Sequence, residues 1–158
     1  MYITQGLHRH LQSRPNAVAI RADGRSTTYA QYGDRVARLA SALKRLGVQS
    51  NDRVAMLSFN SQRYIEYFLA VPWADAVLNP VNFRWSATEI IYSLDDSETT
   101  ILIVDDHHKA LGARILQEAK TLRQVIYAGD GETPAGMLDY ETLIAASEPI
   151  EDARRSGD

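Results

Sequence analysis

The chain offers reactive side chains in four places. Histidines stand at His8, His10, His107 and His108. Two aspartates close an apolar run, Ile101-Leu-Ile-Val-Asp-Asp106, further carboxylates occur at Glu66 and Asp95-Asp96, and Gly129-Asp-Gly131 opens like a phosphate loop. Metal-binding histidines on one helix face want i, i+4 spacing, whereas His8 and His10 are two apart and His107 and His108 are adjacent. All four therefore read as solvated surface residues. The apolar strand ending in Asp105-Asp106 could hold magnesium at its carboxyl end; the plainer reading is that Asp105 or Asp106 caps the next helix. The glycine run places Pro134 where a dinucleotide loop needs its third glycine, and reads as a surface turn. Glu66 and Asp95-Asp96 read as solvated helix positions. No serine sits in a G-x-S-x-G elbow and no G-x-x-x-x-G-K-[ST] occurs.

Composition narrows the classes further. The chain has no cysteine, which removes disulfides, thiolate catalysis and zinc–cysteine sites. Its 158 residues are 45% hydrophobic and 23% charged, the balance of one globular domain and not of a disordered segment. A net charge of −3 without a clustered basic face argues against nucleic acid. The polar start (Gln5, His8, Arg9, His10, Gln12) has no signal-peptide core, and no apolar run is long enough to span a bilayer. A cytoplasmic protein is the expectation.

The elements that must position these residues follow from periodicity. Ile3, Leu7 and Leu11 mark a short amphipathic helix over 3–13. Val18 and Ile20 begin a hairpin that turns at Asp23-Gly24 and ends near Thr27. Thr28-Tyr-Ala-Gln31 is a capping box opening a helix through Val36, Leu39, Ala40, Leu43 and Leu46, with Gly47 as its stop. Arg53 to Phe59 reads as a buried strand after an Asn51-Asp52 turn. Asn60-Ser61 starts a helix whose apolar face is Tyr64, Ile65, Phe68 and Leu69, ended or kinked by Pro72. Trp73, Trp85, Tyr64, Tyr67 and Phe68 read as core aromatics. Ala76 to Leu78 is a short buried strand broken by Asn79-Pro80. Ser86-x-x-Glu89 is a second capping box, opening a helix to about Leu94. Thr100–Val104 and Gln124–Tyr127 are strands on either side of a helix over Leu111–Ala119. A loop over Gly129–Gly136 leads to a short helix, Tyr140–Ala146. Strands alternating with helices predict an α/β fold, a largely parallel sheet between helices in three layers. Residues 1–147 form one unit, and the polar 148–158 reads as a linker to a missing remainder.

Five landmarks in order resemble the N-terminal region of AMP-forming acyl-CoA synthetases, the adenylate-forming enzymes. They are Thr27-Thr-Tyr-Ala-Gln-Tyr32, Ala37 to Val48, Asn51-Asp-Arg-Val-Ala55, Asn60-Ser61 with Glu66 and Ala70, and Leu78-Asn-Pro-Val-Asn-Phe-Arg84 with Glu89-Ile90. Two positions depart from the family pattern, Asn51 and Asp75, where glycine is usual. The resemblance implies a fatty-acyl or aryl-acid CoA ligase that uses ATP, Mg²⁺ and coenzyme A through an acyl-adenylate. It implies one site residue, Arg84, at a coenzyme A phosphate; the alternative for Arg84 is a surface charge or a pair with Glu89. The family's phosphate loop, its later glutamate motif and its lid lysine are missing from this sequence, so the resemblance carries over no catalytic or metal residue. The chain alone is expected to be inactive, to pack against the remainder of a parent enzyme and to self-associate through apolar surface. The other readings are a free-standing α/β binding module and, with less support, a receiver-like domain. Ile101 to Asp106 resembles a receiver's first strand, but such a domain needs a later phosphoacceptor aspartate and a lysine beyond it, whereas no lysine follows Lys120, Asp130 sits in a glycine loop and Asp152 in a polar tail.

Overall fold

A computed structural model describes residues 2–154. A first helix, α1 (Gln5–Ser13), leads to a hairpin of β1 (Val18–Ala22) and β2 (Arg25–Thr28). Asp23 and Gly24 both take positive φ, as a two-residue hairpin turn demands. The body then runs α2 (Tyr29–Arg45), β3 (Arg53–Leu57), α3 (Gln62–Trp73), β4 (Val77–Pro80), α4 (Ala87–Asp96), β5 (Ile101–Val104), a 3₁₀ turn (Asp106–His108), α5 (Lys109–Glu118), β6 (Gln124–Tyr127), β7 (Leu138–Asp139) and α6 (Tyr140–Ala145). Five strands form one parallel sheet in the order β4-β3-β5-β6-β7. It is the flanked parallel sheet that the alternating pattern predicts.

Both sheet faces are covered. Val54, Met56, Ile101, Ile103 and Ile126 point toward α2, α3 and α6, while Ala55, Leu57, Leu102, Val104 and Val125 point toward α4 and α5. That is why β5 is the unbroken run Ile-Leu-Ile-Val, buried at every residue. Each such side chain contributes about 1.5–3 kcal/mol by leaving water. Close approach on the second face depends on Gly112: a Cβ there would stand 2.9 Å from Val104 Cγ1.

Both capping boxes form. The Gln31 amide donates to Thr28 Oγ1 and the Glu89 amide to Ser86 Oγ, and each N3 side chain accepts from its cap amide in return. At its other end α2 closes in a Schellman motif: Val48 N donates to Leu43 O and Gly47 N to Lys44 O, with Gly47 at φ 98°. Helices α3 and α4 close the same way, but with Asp75 (φ 61°) and Glu98 (φ 54°) where glycine is usual. The Asp75 carboxylate accepts from Ser50 Oγ at 2.6 Å, which fixes the unusual residue. Asn51 adopts φ 66° without a glycine.

Several expectations change. β3 ends at Leu57, so Phe59 lies past the strand and is 40% exposed. The buried face of α3 is Glu66, Tyr67, Ala70, Val71 and Trp73; Ile65 and Phe68, expected inside, are 44% and 37% exposed, and Trp85 is exposed too. Glu66 turns inward to meet Arg35 of α2 and carries Tyr67, Ala70 and Trp73 inside with it, which leaves Ile65 and Phe68 on the outer side. Pro72 sits in the last turn, where the helix ends one residue later. Asn79 and Pro80 do not break β4; they belong to it, because β4 is an edge strand with no neighbour on its outer side. The Asn79 amide donates to the Tyr67 hydroxyl at 3.0 Å, and that hydroxyl donates to Val54 O. β7, only two residues long, falls between the expected loop and the last helix. Finally, the polar segment expected as a linker is held against the body as far as Arg154: Ala153 N donates to Trp73 O and Trp73 Nε1 to Ile150 O. The rest of that segment lies outside the described residues.

Candidate functional site

The sheet topology singles out one place. β3 and β5 are neighbours, yet the chain leaving β3 climbs to α3 on one face and the chain leaving β5 climbs to α5 on the other. Between them, beyond the carboxyl ends of the strands, a parallel α/β sheet opens a crevice in which ligands bind. Here the crevice is walled by Ser58–Phe59 after β3, Asn82–Arg84 after β4 and Asp105–His108 after β5.

Asp105 ties two of these loops together. Its Oδ2 accepts from Phe59 N at 2.9 Å and Ser58 Oγ at 3.3 Å. Its Oδ1 accepts from His108 N at 3.0 Å and lies 2.6 Å from His108 Nδ1. An ionised carboxylate only accepts, so Nδ1 carries the proton. Asp105 is thereby the cap of the 3₁₀ turn that the sequence anticipates, and its lone pairs are spent on the protein. Asp106 accepts from the Tyr127 hydroxyl and from Lys109 Nζ, which together hold its carboxyl below the usual aspartate range. Asp105 is thus fully used within the protein, whereas Asp106, 59% exposed, spends only Oδ1 on Tyr127 and Lys109.

The rim above Asp105 is aromatic. The Phe59 ring meets Phe83 edge-on at 5.0 Å, His107 at 4.7 Å and His108 at 4.8 Å. His108 is thus buried between Asp105 and Phe59, contrary to the expectation of a solvated residue. Arg84 is exposed, with its guanidinium 5.8 Å above the Phe83 ring. It does not pair with Glu89, whose carboxylate accepts from the Ser86 amide in the capping box. No ion pair of Arg84 occurs among the described residues. An unneutralised cation beside flat apolar rings suits a ligand with an anionic group and a planar group.

The Gly129–Gly131 loop, read from the sequence as a surface turn, is packed onto a strand residue. It lies folded onto Tyr127, whose hydroxyl already accepts the Gly131 amide at 3.1 Å; a Cβ on Gly129 would stand 2.4 Å from that ring. The glycines serve close packing on a tyrosine, and the Gly131 amide is committed to its hydroxyl. Among the described residues no group of three His, Cys, Asp or Glu side chains is arranged to hold a metal ion. No described helix is long and apolar enough to cross a membrane.

A second polar cluster lies one helix away. Glu66, completely buried, accepts from Arg35 Nε at 2.5 Å, Arg35 Nη2 at 3.0 Å, Gln62 Nε2 at 3.2 Å and the Tyr140 hydroxyl at 2.9 Å. Arg35 reaches on to Glu141, and Arg63 joins Glu141 to Asp130. Burial, followed by the Glu66 charge, pushes the Tyr140 hydroxyl well above the ordinary tyrosine value. The reading of Glu66 as solvated is therefore wrong: it joins α2, α3 and α6. This cluster borders an open cleft of about 760 Å³ under the β1–β2 hairpin, but its charges are matched internally. Asp95 is structural as well, since its Oδ1 accepts the Lys120 and Thr121 amides, and Asp96 is exposed as expected. His8 lies against Trp73 and Asp152, and His10 against Tyr29 and Arg14.

A five-stranded parallel sheet with helices on both faces and a switch point between β3 and β5 makes this an open, doubly covered α/β unit. The chain belongs to the AMP-binding enzyme family, whose sequence model matches residues 7–155. It is 40% identical over 118 residues to a long-chain-fatty-acid–CoA ligase of Thermus thermophilus, covering 75% of this chain and 22% of that protein. It is 33% identical over 142 residues to 3-oxocholest-4-en-26-oate–CoA ligase of Rhodococcus rhodochrous, covering 87% of this chain and 26% of the relative. Among solved structures it resembles an anthranilate CoA ligase in complex with anthranoyl-AMP, with a TM-score of 0.87, 26% identity, and coverage of 93% of this chain and 28% of that one. The chain corresponds to the N-terminal region of such enzymes and spans about a quarter of the length of these relatives.

Proposed function

We propose that this chain is the N-terminal α/β subdomain of an ATP-dependent acyl-CoA synthetase acting in the cytoplasm on a fatty or aromatic carboxylic acid. In the parent reaction the acid's carboxylate displaces pyrophosphate from ATP, giving an acyl-adenylate, and the coenzyme A thiol then displaces AMP. The observation that carries this reading is the continuous family match over residues 7–155, shared with relatives named as CoA ligases. On this reading adenylation is the work of the parts of such enzymes that lie outside the quarter of the relatives' length that this chain spans. Residues 1–147 form the body of the subdomain, and 148–158 leads toward that chain.

Within the reading, the subdomain supplies a wall. Arg84 contacts a phosphate of coenzyme A, and the Phe59–Phe83 rim lies beside it. The exposed Ile65 and Phe68 mark apolar surface that packs against the remaining polypeptide and drives self-association when uncovered. Sedimentation of a compact monomer that binds no hydrophobic dye would overturn that last point.

Two assays test the proposal. The 158-residue protein, given ATP, Mg²⁺ and a panel of fatty and aryl acids, forms no acyl-AMP; detecting the adduct by mass spectrometry would refute the division of labour. A longer product of the same reading frame converts at least one of those acids to its CoA thioester with release of AMP. In that product Arg84→Ala raises the KM for coenzyme A and leaves the KM for the acid unchanged. An unchanged KM for coenzyme A removes the role of Arg84.

A further inference from the structure

The path of residues 148–154 has no counterpart in the crevice or in the Glu66 cluster. After α6 the chain is anchored to α2, where Arg38 Nη1 donates to Ser147 O at 2.7 Å and Arg45 Nη1 to Ala146 O at 3.0 Å. It then crosses α3 as a single extended strap. Glu148, Pro149 and Glu151 face solvent, while Ile150 packs on the core. Its main-chain anchors are those to Trp73 and a long Ile150 N to Ala37 O contact of 3.4 Å. A segment with so little buried apolar area opens readily on its own.

One residue opposes that opening. Asp152 is 2% exposed. Its Oδ2 accepts from Thr4 Oγ1 at 2.5 Å and lies 2.8 Å from His8 Nε2, residues at the far end of the chain. Its Oδ1 accepts from Arg154 N at 3.1 Å. His8 in turn stacks on Trp73 at 4.7 Å, and Arg154 Nε lies 3.3 Å from Asp75 Oδ1. A carboxylate sealed from water is stable only while its donors stay in place, so the strap, α1 and Trp73 hold one another in a closed ring.

We propose that residues 148–154 form a latch that opens independently of the α/β body, with Asp152 as its catch and Thr4 and His8 as its keeper. Opening uncovers Trp73 and frees the exit of the chain from α1, while the sheet and its crevice stay intact. The device contributes little to whether the body folds.

Hydrogen exchange read by mass spectrometry tests this on the whole 158-residue protein. In Asp152→Asn, protection of the strap amides, Ala153 included, falls by about tenfold or more, while β3 and β5 amides change less than about twofold. Thr4→Val, which removes only the hydroxyl donor, moves the same amides the same way by about threefold and serves if Asp152→Asn does not fold. Strap amides that keep their protection show that Asp152 is not the catch. Equal loss across strap and sheet shows that the strap is part of the body. Either result overturns the proposal.

Discussion

Replacing Glu66 tests how the three helices on one face are joined. Glu66→Gln keeps the shape and removes the charge. Glu66 receives four hydrogen bonds, two of them from a guanidinium, and is wholly buried. Breaking a buried ion pair by deleting one partner costs about 3–5 kcal/mol, because the survivor stays desolvated. Arg35 is not fully stranded: it keeps Glu141 through two bonds, and its side chain is 25% exposed. The loss for Glu66→Gln therefore lies near the low end, about 3 kcal/mol. At about 2–4 °C per kcal/mol for a chain of this size, Tm falls by about 6–12 °C. Glu66→Ala also leaves the buried Tyr140 hydroxyl without an acceptor, adding about 1–3 kcal/mol. Urea unfolding followed by circular dichroism measures both, and Tyr140→Phe in each background gives the coupling between the two side chains. A loss below about 1 kcal/mol for Glu66→Gln would show that this cluster is no more than a surface pair.

Three further outcomes follow from particular geometries. Glu98→Gly stabilises by about 0.5–1 kcal/mol, because a left-handed C′ position costs glycine nothing; a lower urea midpoint would contradict this. Gly112→Ala destabilises by about 1 kcal/mol net, as crowding against Val104 exceeds the gain in helix propensity, and a rise in Tm would show that α5 shifts freely. Glu141 is held below its ordinary value of 4.5, first by its hydrogen bonds from Arg35. A depressed carboxylate lends stability that is present above that value and lost as pH falls through the folded one. Stability therefore drops on acidification below about 4.5. Glu141→Gln flattens this acid limb, and an unaltered limb would place the titration elsewhere.

Local signals in the sequence read well and distant ones do not. Thr28 with Gln31, Ser86 with Glu89 and Gly47 are caps whose partners sit within four residues, so they are visible before any fold is known. The unbroken Ile101–Val104 run announces a doubly covered strand for the same reason. The face of α3 is harder. Apolar side chains occur all round it, and choosing between Phe68 and Glu66 as the buried one requires knowing that Arg35 and Tyr140 stand opposite. Only the E-x-x-x-A spacing of Glu66 and Ala70 hints at it. Asp105 is readable as a cap but not as the tie between two loops, since Phe59 lies 46 residues away. Arg84 stands out through family resemblance alone; nothing in its own neighbourhood distinguishes it from other exposed arginines. Asp152 looks solvated because both donors that bury it are at the opposite terminus.

An exposed sheet margin normally invites another strand, from a second copy or from an unfolded chain. The margin formed by β4 offers little to join. Val77 and Val81 turn their amides inward to Asp52 O and Met56 O and Asn79 turns its amide inward to Tyr67, which leaves Leu78 and Pro80 facing outward, and Pro80 has no amide hydrogen. A strand added on this side therefore meets one main-chain donor, that of Leu78, where an ordinary edge would offer two.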